Sequence, residues 1–216
     1  TNVGLDYGMW NGRLTGSLEY YYKKTTDLIF NVPVAAGTNL SNFVTTNIGS
    51  MENRGVELAV NGRVLDRNGF TWDAGFNAAR NNNKLLRIEA ASTGGEQILV
   101  GPIDGGVGSN IEVLKPGVPV NSFLVYKQKY ANGKPVYQDT NGDKNIDEQD
   151  LYVDINKDGI VNQDDRRPFH SPAPKWILGA SSQMGFRSFD ASFTLRAYLG
   201  NYVYNNTEEF RCTASS

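Results

Sequence analysis

From Trp176 to Leu199 the chain alternates apolar and polar positions in two consecutive runs. In the first, Trp176, Leu178, Ala180, Met184 and Phe186 share one parity, with Ser182 as its polar exception. In the second, Phe189, Ala191, Phe193, Leu195, Ala197 and Leu199 share one parity. The opposite parity carries Gly179, Ser181 and Gln183, then Asp190, Ser192, Thr194 and Arg196. Successive side chains of a strand point to opposite faces, so each run has one apolar and one polar face. Arg187-Ser188 between them suits a tight hairpin turn. An arm of about 11 residues, at ~3.3 Å per residue and a tilt near 45°, rises roughly 25 Å, the height of the apolar band of an outer-membrane barrel.

Two further hairpins follow the same rule. Val3, Leu5, Tyr7 and Met9 alternate with Gly4, Asp6 and Gly8. Asn11-Gly12 is a two-residue hairpin signal, and Leu14, Leu18, Tyr20 and Tyr22 return on one parity. A long connection is expected from about Lys24 to Ser50. Next, Val56, Leu58, Val60 and Val64 alternate with Glu57, Ala59, Asn61 and Arg63. Asp66 to Gly69 turns the chain into Phe70, Trp72, Ala74, Phe76 and Ala78. After Asn81-Asn82-Asn83 a Gly-rich connection is expected to about Gly117, then a less regular strand within Val118 to Tyr130. Short turns alternate with long connections, as at the two rims of a membrane barrel. Trp10, Phe70, Trp72, Phe186 and Phe189 lie near the short turns, and Tyr20, Tyr22 and Trp176 lie at the far ends, where two aromatic girdles are expected. A water-soluble β-sandwich would also alternate, so periodicity alone leaves both readings open.

Composition narrows this. Hydrophobic residues make up 39% of the 216. No apolar run is long enough for a transmembrane helix, whereas barrel strands dilute hydropathy by alternation. No basic stretch followed by an apolar one opens the chain, so a signal peptide is expected to be absent or removed. The single cysteine, Cys212, has no internal partner. His170, the one histidine, stands beside Pro168, Ser171, Pro172 and Pro174 and reads as a loop residue. No set of acid, base and nucleophile stands out, so an enzyme is not expected.

Charge is uneven. Asp139 to Asp165 holds nine acids and two bases, a balance of −7 in a chain of net −2. Residues 139–150 read DTNGDKNIDEQD and 154–165 read DINKDGIVNQDD. Calcium takes six to eight hard oxygens, and a 12-residue loop offers them at positions 1, 3, 5, 7, 9 and 12. The second loop supplies Asp154, Asn156, Asp158, the Ile160 carbonyl, Asn162 and Asp165. The first supplies Asp139, Asn141, Asp143, the Asn145 carbonyl, Asp147 and Asp150. Gly159 fills position 6 of the second loop, where the chain turns sharply, and Lys144 fills it in the first. Apolar Ile146 and Val161 at position 8 suggest a short strand pair between the loops. The three residues that separate them leave no room for a helix-loop-helix hand. The calcium would be structural, pinning a long external loop; the plain alternative is a solvated acidic turn.

The chain resembles the SusC/RagA-type TonB-dependent outer-membrane transporters of Bacteroidota. The likeness lies in Asn47-Ile48-Gly49-Ser50-Met51-Glu52-Asn53-Arg54-Gly55-Val56-Glu57, in Trp72 through Asn77 to Lys84, and in the Asn-Gly-Asp segment from Asp139. It continues in Ser171-Pro172-Ala173-Pro174 and from Phe189-Asp190 through Leu199 to Asn206. The resemblance implies an all-β antiparallel barrel with a plug, a TonB-contacting segment and a SusD-like lipoprotein lid, importing oligosaccharides or peptides. Outer-membrane lipid would be a further partner, and nucleic acid would not. The match is to a late part of the barrel, residues 1–207 with 139–165 as the acidic insertion, and the tail over 208–216 diverges from the family pattern. The chain therefore reads as a barrel fragment. A calcium-stabilised extracellular β-domain for binding or adhesion is the competing reading.

Overall fold

The computed structural model describes residues 1–33, 40, 43–88, 97–103 and 110–206. Four long strands come first: β1 (Asn2–Met9), β2 (Leu14–Pro33), β3 (Phe43–Arg67) and β4 (Phe70–Ile88). Short pieces follow: β5 (Ile98–Pro102), β6 (Asn110–Leu114), β7 (Ser122–Val125), β8 (Tyr130–Ala131) and β9 (Lys134–Pro135). One helical turn, α1 (Glu148–Leu151), and a 3-10 turn at Gln163–Asp165 lead into β10 (Arg167–Phe169). The chain closes its described part with β11 (Trp176–Phe186) and β12 (Phe189–Leu199).

The main sheet has six antiparallel strands in the order β1-β2-β3-β4-β11-β12. Within the described residues it does not close on itself, and β1 and β12 are its edges. The crossover from β4 to β11 spans everything between them in sequence. A smaller four-stranded sheet, β10-β7-β6-β5, is built from that crossover.

The alternation read from the sequence becomes rows of side chains across the whole sheet. One row runs Leu5, Leu18, Leu58, Ala78, Leu178, Ala197, and the next on the same face runs Tyr7, Gly16, Val60, Phe76, Ala180, Leu195. Between them lies a row of the other face: Asp6, Ser17, Ala59, Asn77, Gly179, Arg196. The apolar rows are open to the surroundings: Leu5 is 63% exposed, Phe193 53% and Leu195 61%. A sandwich would cover them with a second sheet. The small sheet instead packs at the far end, where Leu85, Ile88, Ile98 and Leu114 form a buried cluster with Leu28, Phe30 and Met51. Leu85 shares its parity with Asn77 and Asn81, so that core lies on the polar side of the sheet.

The turns at the near rim differ in detail from the sequence expectation. Arg187-Ser188 is a two-residue turn between Phe186 and Phe189, as expected. Asn68-Gly69 is another, with φ of 53° and 77°, both in the left-handed region that such hairpin turns require. Asn11-Gly12 is not a two-residue turn: Met9 pairs with Leu14, so Trp10 to Arg13 all belong to the loop. Trp10, Asn11 and Gly12 all take positive φ there, and the Arg13 N–H returns to the Trp10 carbonyl at 3.2 Å.

The far end departs further. The expected long connection from Lys24 to Ser50 is mostly strand, because β2 runs to Pro33 and β3 starts at Phe43. β4 likewise continues through Ile88 instead of ending at the Asn triplet. Register shifts between Thr25 and Leu28 and between Leu28 and Ile29 break the period in the sequence, with Asp27 at φ 57° in the first. A further bulge at Val64 moves the apolar face to Leu65, which pairs with Trp72. The Gly-rich stretch before Gly117 contains β5 and β6, with residues 89–96 and 104–109 outside the described part. Within Val118 to Tyr130, four residues form β7, rather than one long strand. The divergent tail at 208–216, with Cys212, lies outside the described residues.

Candidate functional site: a two-faced wall and its acidic crown

The apolar face carries aromatic belts at the expected heights. Phe70, Phe186 and Phe189 share the row nearest the short turns, with the Phe70 and Phe186 rings 6.5 Å apart. Val3, Tyr20, Val56, Arg80, Trp176 and Leu199 share the row at the far end of β11 and β12. Ser182, the polar exception on this face, is explained by a neighbour: the Trp72 indole N–H donates to its hydroxyl at 2.9 Å.

The opposite face is polar. Gly8, Thr15, Asn61, Gly75, Ser181 and Thr194 form one row. Nearer the turns, Arg63 donates through Nε to Asp73 at 3.0 Å and through Nη2 to its other oxygen at 3.3 Å. Glycines let large side chains lie flat here. A Cβ on Gly55 would meet the Tyr21 hydroxyl at 2.5 Å, so the Tyr21 ring crosses the space that Gly55 leaves.

The acidic segment folds as two copies of one loop, offset by fifteen residues in number (Asp139 to Asp154, Asp150 to Asp165). In the first, the Asp139 carboxylate accepts from the N–H of Asn141 at 3.1 Å, of Gly142 at 2.5 Å and of Lys144 at 2.9 Å. In the second, Asp154 accepts from Lys157 at 2.5 Å and Gly159 at 2.8 Å. Asn141 and Asn156 each donate to the acid two residues on, Asp143 at 3.0 Å and Asp158 at 2.9 Å. Positions 4 and 6 take positive φ in both loops, and glycine and lysine exchange places: Gly142 and Lys144, then Lys157 and Gly159. Lys144 thus makes the turn that Gly159 makes.

The last acid of each loop is fully buried. Asp150 accepts from the Thr140 N–H at 2.7 Å and hydroxyl at 2.8 Å, from Asn141 at 3.2 Å and from Asp147 at 3.3 Å. Asp165 accepts from Ile155 at 2.7 Å, Asn156 at 3.2 Å and Asn162 at 2.9 Å. These bonds favour the ionised form over the opposing effect of burial. They hold both carboxyls below the usual carboxylate range, the Thr140 N–H leading for Asp150 and the Asn162 N–H for Asp165. Asp139, Asp143 and Asp150 bring one oxygen each to within 4.8 Å of one another. Asp147 and Asn162 cap helical turns, accepting from the N–H of Gln149 and Asp164 at 2.8 Å each.

The expected strand pair at Ile146 and Val161 does not form. Ile146 is exposed, and the Gln149 side chain reaches both the N–H and the carbonyl of Val161, at 2.9 and 3.0 Å. A helical turn does fit at the end of the first loop, because α1 overlaps its last residues instead of following them. His170 takes φ 56° and stacks on Tyr202 with ring centres 3.8 Å apart, in keeping with its reading as a loop residue.

A sheet with in-register apolar rows on its uncovered face, polar rows on the other, tight turns at one rim and an elaborated crossover at the other is a segment of a membrane β-barrel wall. The family model for the TonB-dependent receptor-like β-barrel matches residues 1–208, and the chain belongs to that family of outer-membrane proteins. It is 36% identical over 205 residues to the TonB-dependent receptor SusC of Bacteroides thetaiotaomicron, a match covering 94% of this chain and 19% of that protein. The RagAB peptide transporter structure shares the fold with a TM-score of 0.69 at 20% identity, covering 95% of this chain and 21% of that one. The RagAB peptide importer in its open-open state gives a TM-score of 0.68 over 95% of this chain. The chain thus spans about a fifth of the length of these relatives. Family and fold favour the outer-membrane barrel wall over the adhesion module.

Proposed function

We propose that residues 1–207 form part of the barrel of a TonB-dependent active transporter that imports oligosaccharides or peptides across the outer membrane. The observation that carries this is the two-faced sheet: lipid on the exposed apolar rows, a hydrated lumen on the polar ones. The peptide transport named for RagAB supports peptides, and the TonB-dependent receptors among the relatives support the TonB complex as a partner; oligosaccharides and a SusD-like surface lipoprotein rest on the family resemblance of the sequence. The family is one of transporters, which fits the expectation that the chain is no enzyme. Deleting the full-length gene and supplying oligosaccharide or peptide mixtures as sole nutrient tests the reading. Growth on one class should fail and return with the intact gene but not in a strain lacking TonB. Unimpaired growth on every mixture would overturn it.

Structural calcium in the acidic crown belongs to the same reading. The donors are all oxygens, three carboxylates of the first loop converge, and the second loop repeats its hydrogen bonds. Asp139, Asn141, Asp143, the Asn145 carbonyl, Asp147 and Asp150 would hold one ion, and Asp154, Asn156, Asp158, the Ile160 carbonyl, Asn162 and Asp165 a second. The ions would offset the local charge and fix the crossover. Calorimetric calcium titration of the full-length protein tests this, with Asp143→Ala and Asp158→Ala each removing one site. No heat at millimolar calcium would count against it.

A further inference from the structure

The outer face changes character one step above its upper aromatic row. Residues of the apolar parity there are Tyr22, Arg54 and Asn82 in one row and Lys24, Glu52 and Lys84 in the next. Arg80 lies in the girdle row itself, its guanidinium 5.3 Å from the centre of the Trp176 ring. Four cations and one acid therefore stand on the lipid-facing parity, at the end of the wall away from the tight turns. Glu52 is engaged by the Tyr22 hydroxyl at 3.3 Å. Among the described residues the ion pairs are those of Arg63 with Asp66 and Asp73, and Arg54, Arg80 and Lys84 are in none.

The wall is notched at the same height. The Asn81 N–H still reaches the Lys175 carbonyl at 3.3 Å, and four residues on Leu85 is bonded to Val118 at 3.0 Å. Between these points β4 and β11 part. A cavity of about 490 Å³ opens there through the wall, lined by Arg54, Arg80, Asn82 and Lys84 of the apolar parity and by Asn81 and Asn83 of the polar one, with no carboxylate in its lining. Unpaired cations set against a low-dielectric surface attract the anionic headgroups of the adjoining leaflet and are themselves poorly accommodated by hydrocarbon.

We propose that this notch binds the phosphate-bearing headgroup of an outer-leaflet glycolipid, with Arg54, Arg80 and Lys84 as the phosphate contacts and Asn82 donating to the sugar. Arg80, held over Trp176, sits where a headgroup meets the acyl region. The inference rests on the apolar parity facing lipid.

The test uses the full-length protein in detergent, titrated with fluorescent lipopolysaccharide, with the same lipid after phosphate removal, and with inorganic phosphate. The phosphorylated lipid should bind about tenfold or more tightly than the dephosphorylated one and weaken with salt. Arg54→Gln/Arg80→Gln/Lys84→Gln should abolish that difference. Lys23→Gln, at the same height on the opposite parity, should leave it intact. Arg54→Gln alone should lower affinity in part, which keeps the test alive if the triple variant does not assemble. Equal binding of both lipids, or full competition by inorganic phosphate at the concentration of the lipid, would overturn the proposal. So would an equal loss with Lys23→Gln, because that would reassign the faces.

Discussion

Trp72 and Ser182, 110 residues apart in sequence, are joined by a 2.9 Å hydrogen bond from the indole N–H to the hydroxyl across β4 and β11. The pair sits among apolar neighbours near the lower aromatic belt. A polar donor facing hydrocarbon has no water to fall back on, so each partner satisfies the other. Ser182→Ala should therefore destabilise the assembled barrel by about 0.6 kcal/mol and by no more than about 1.7 kcal/mol, the average and the maximum for side-chain hydrogen bonds inside membranes. Trp72→Phe should cost a similar amount, and the double variant little more than either. Urea unfolding of the full-length protein in detergent would read the coupling; strictly additive effects would deny the bond any role.

Two glycines of the wall should respond differently to the same methyl group. A Cβ on Gly55 meets Tyr21 and also the Arg80 carbonyl at 2.6 Å, and backbone cannot step aside. The nearest atoms to a Cβ on Gly179 are those of the Asn77 side chain, at 2.6 Å, which can rotate away. Gly55→Ala should cost about 1–3 kcal/mol, as overpacking does, and Gly179→Ala clearly less. The fraction of full-length protein showing heat-modifiable gel migration would rank them.

Much of this wall was legible in the sequence because its rule is local: period two, with turn residues between. Leu195 and Thr194 declare their faces without reference to any other strand. The extensions of β2, β3 and β4 were not legible, because bulges at Asp27 and near Ile48 reset the parity and the apolar side chains beyond the girdle, Met51 and Leu85 among them, change to the other face. Their partners are set by pairing across the sheet, which no single segment encodes. The twofold repeat of the acidic loop was readable from spacing alone. That Gln149 joins the loops was not, since its two bonds go to the backbone of Val161 and leave no pattern in residue type.

The crown should be sensitive to acid. Asp150 and Asp165 have folded carboxyl groups held below their ordinary range by backbone N–H groups. A depressed folded pKa means the stabilisation is present above the ordinary carboxylate pKa of about 4 and is lost as pH falls below it toward the folded value. Protection from amide exchange at Thr140 and Ile155, relative to the intrinsic rate at each pH, should stay high above that point and fall below it. Asp150→Asn should remove most of the pH dependence at Thr140 while leaving Ile155 unchanged. Uniform behaviour at all pH values would argue against these carboxylates as organisers.

Lysine in the left-handed region is strained at one position in each loop, Lys144 at φ 72° and Lys157 at φ 62°. Lys144→Gly and Lys157→Gly should each relieve about 1 kcal/mol of backbone strain. Thermal protection of the segment against proteolysis in the full-length protein should rise with each. If calcium occupies the loops, affinity should rise with it; a drop in protection for both variants would contradict the repeated turn geometry.

Whether the apolar rows meet lipid can be read from neighbouring residues on β12. Leu195 and Thr194 share depth and strand and differ in face. In the full-length protein, Leu195→Arg places a charge near the middle of the bilayer at a cost of about 2–4 kcal/mol, whereas Thr194→Arg enters a hydrated lumen beside Arg196. A buried soluble core would also reject Leu195→Arg, so Leu195→Trp completes the comparison: lipid accepts the larger side chain, while a close-packed core is strained by about 1–3 kcal/mol. Surface expression and heat-modifiable migration of the three variants is the measurement. A lipid-facing wall should show loss with Leu195→Arg alone; strong loss with Leu195→Trp, or equal damage from Thr194→Arg, would rule it out.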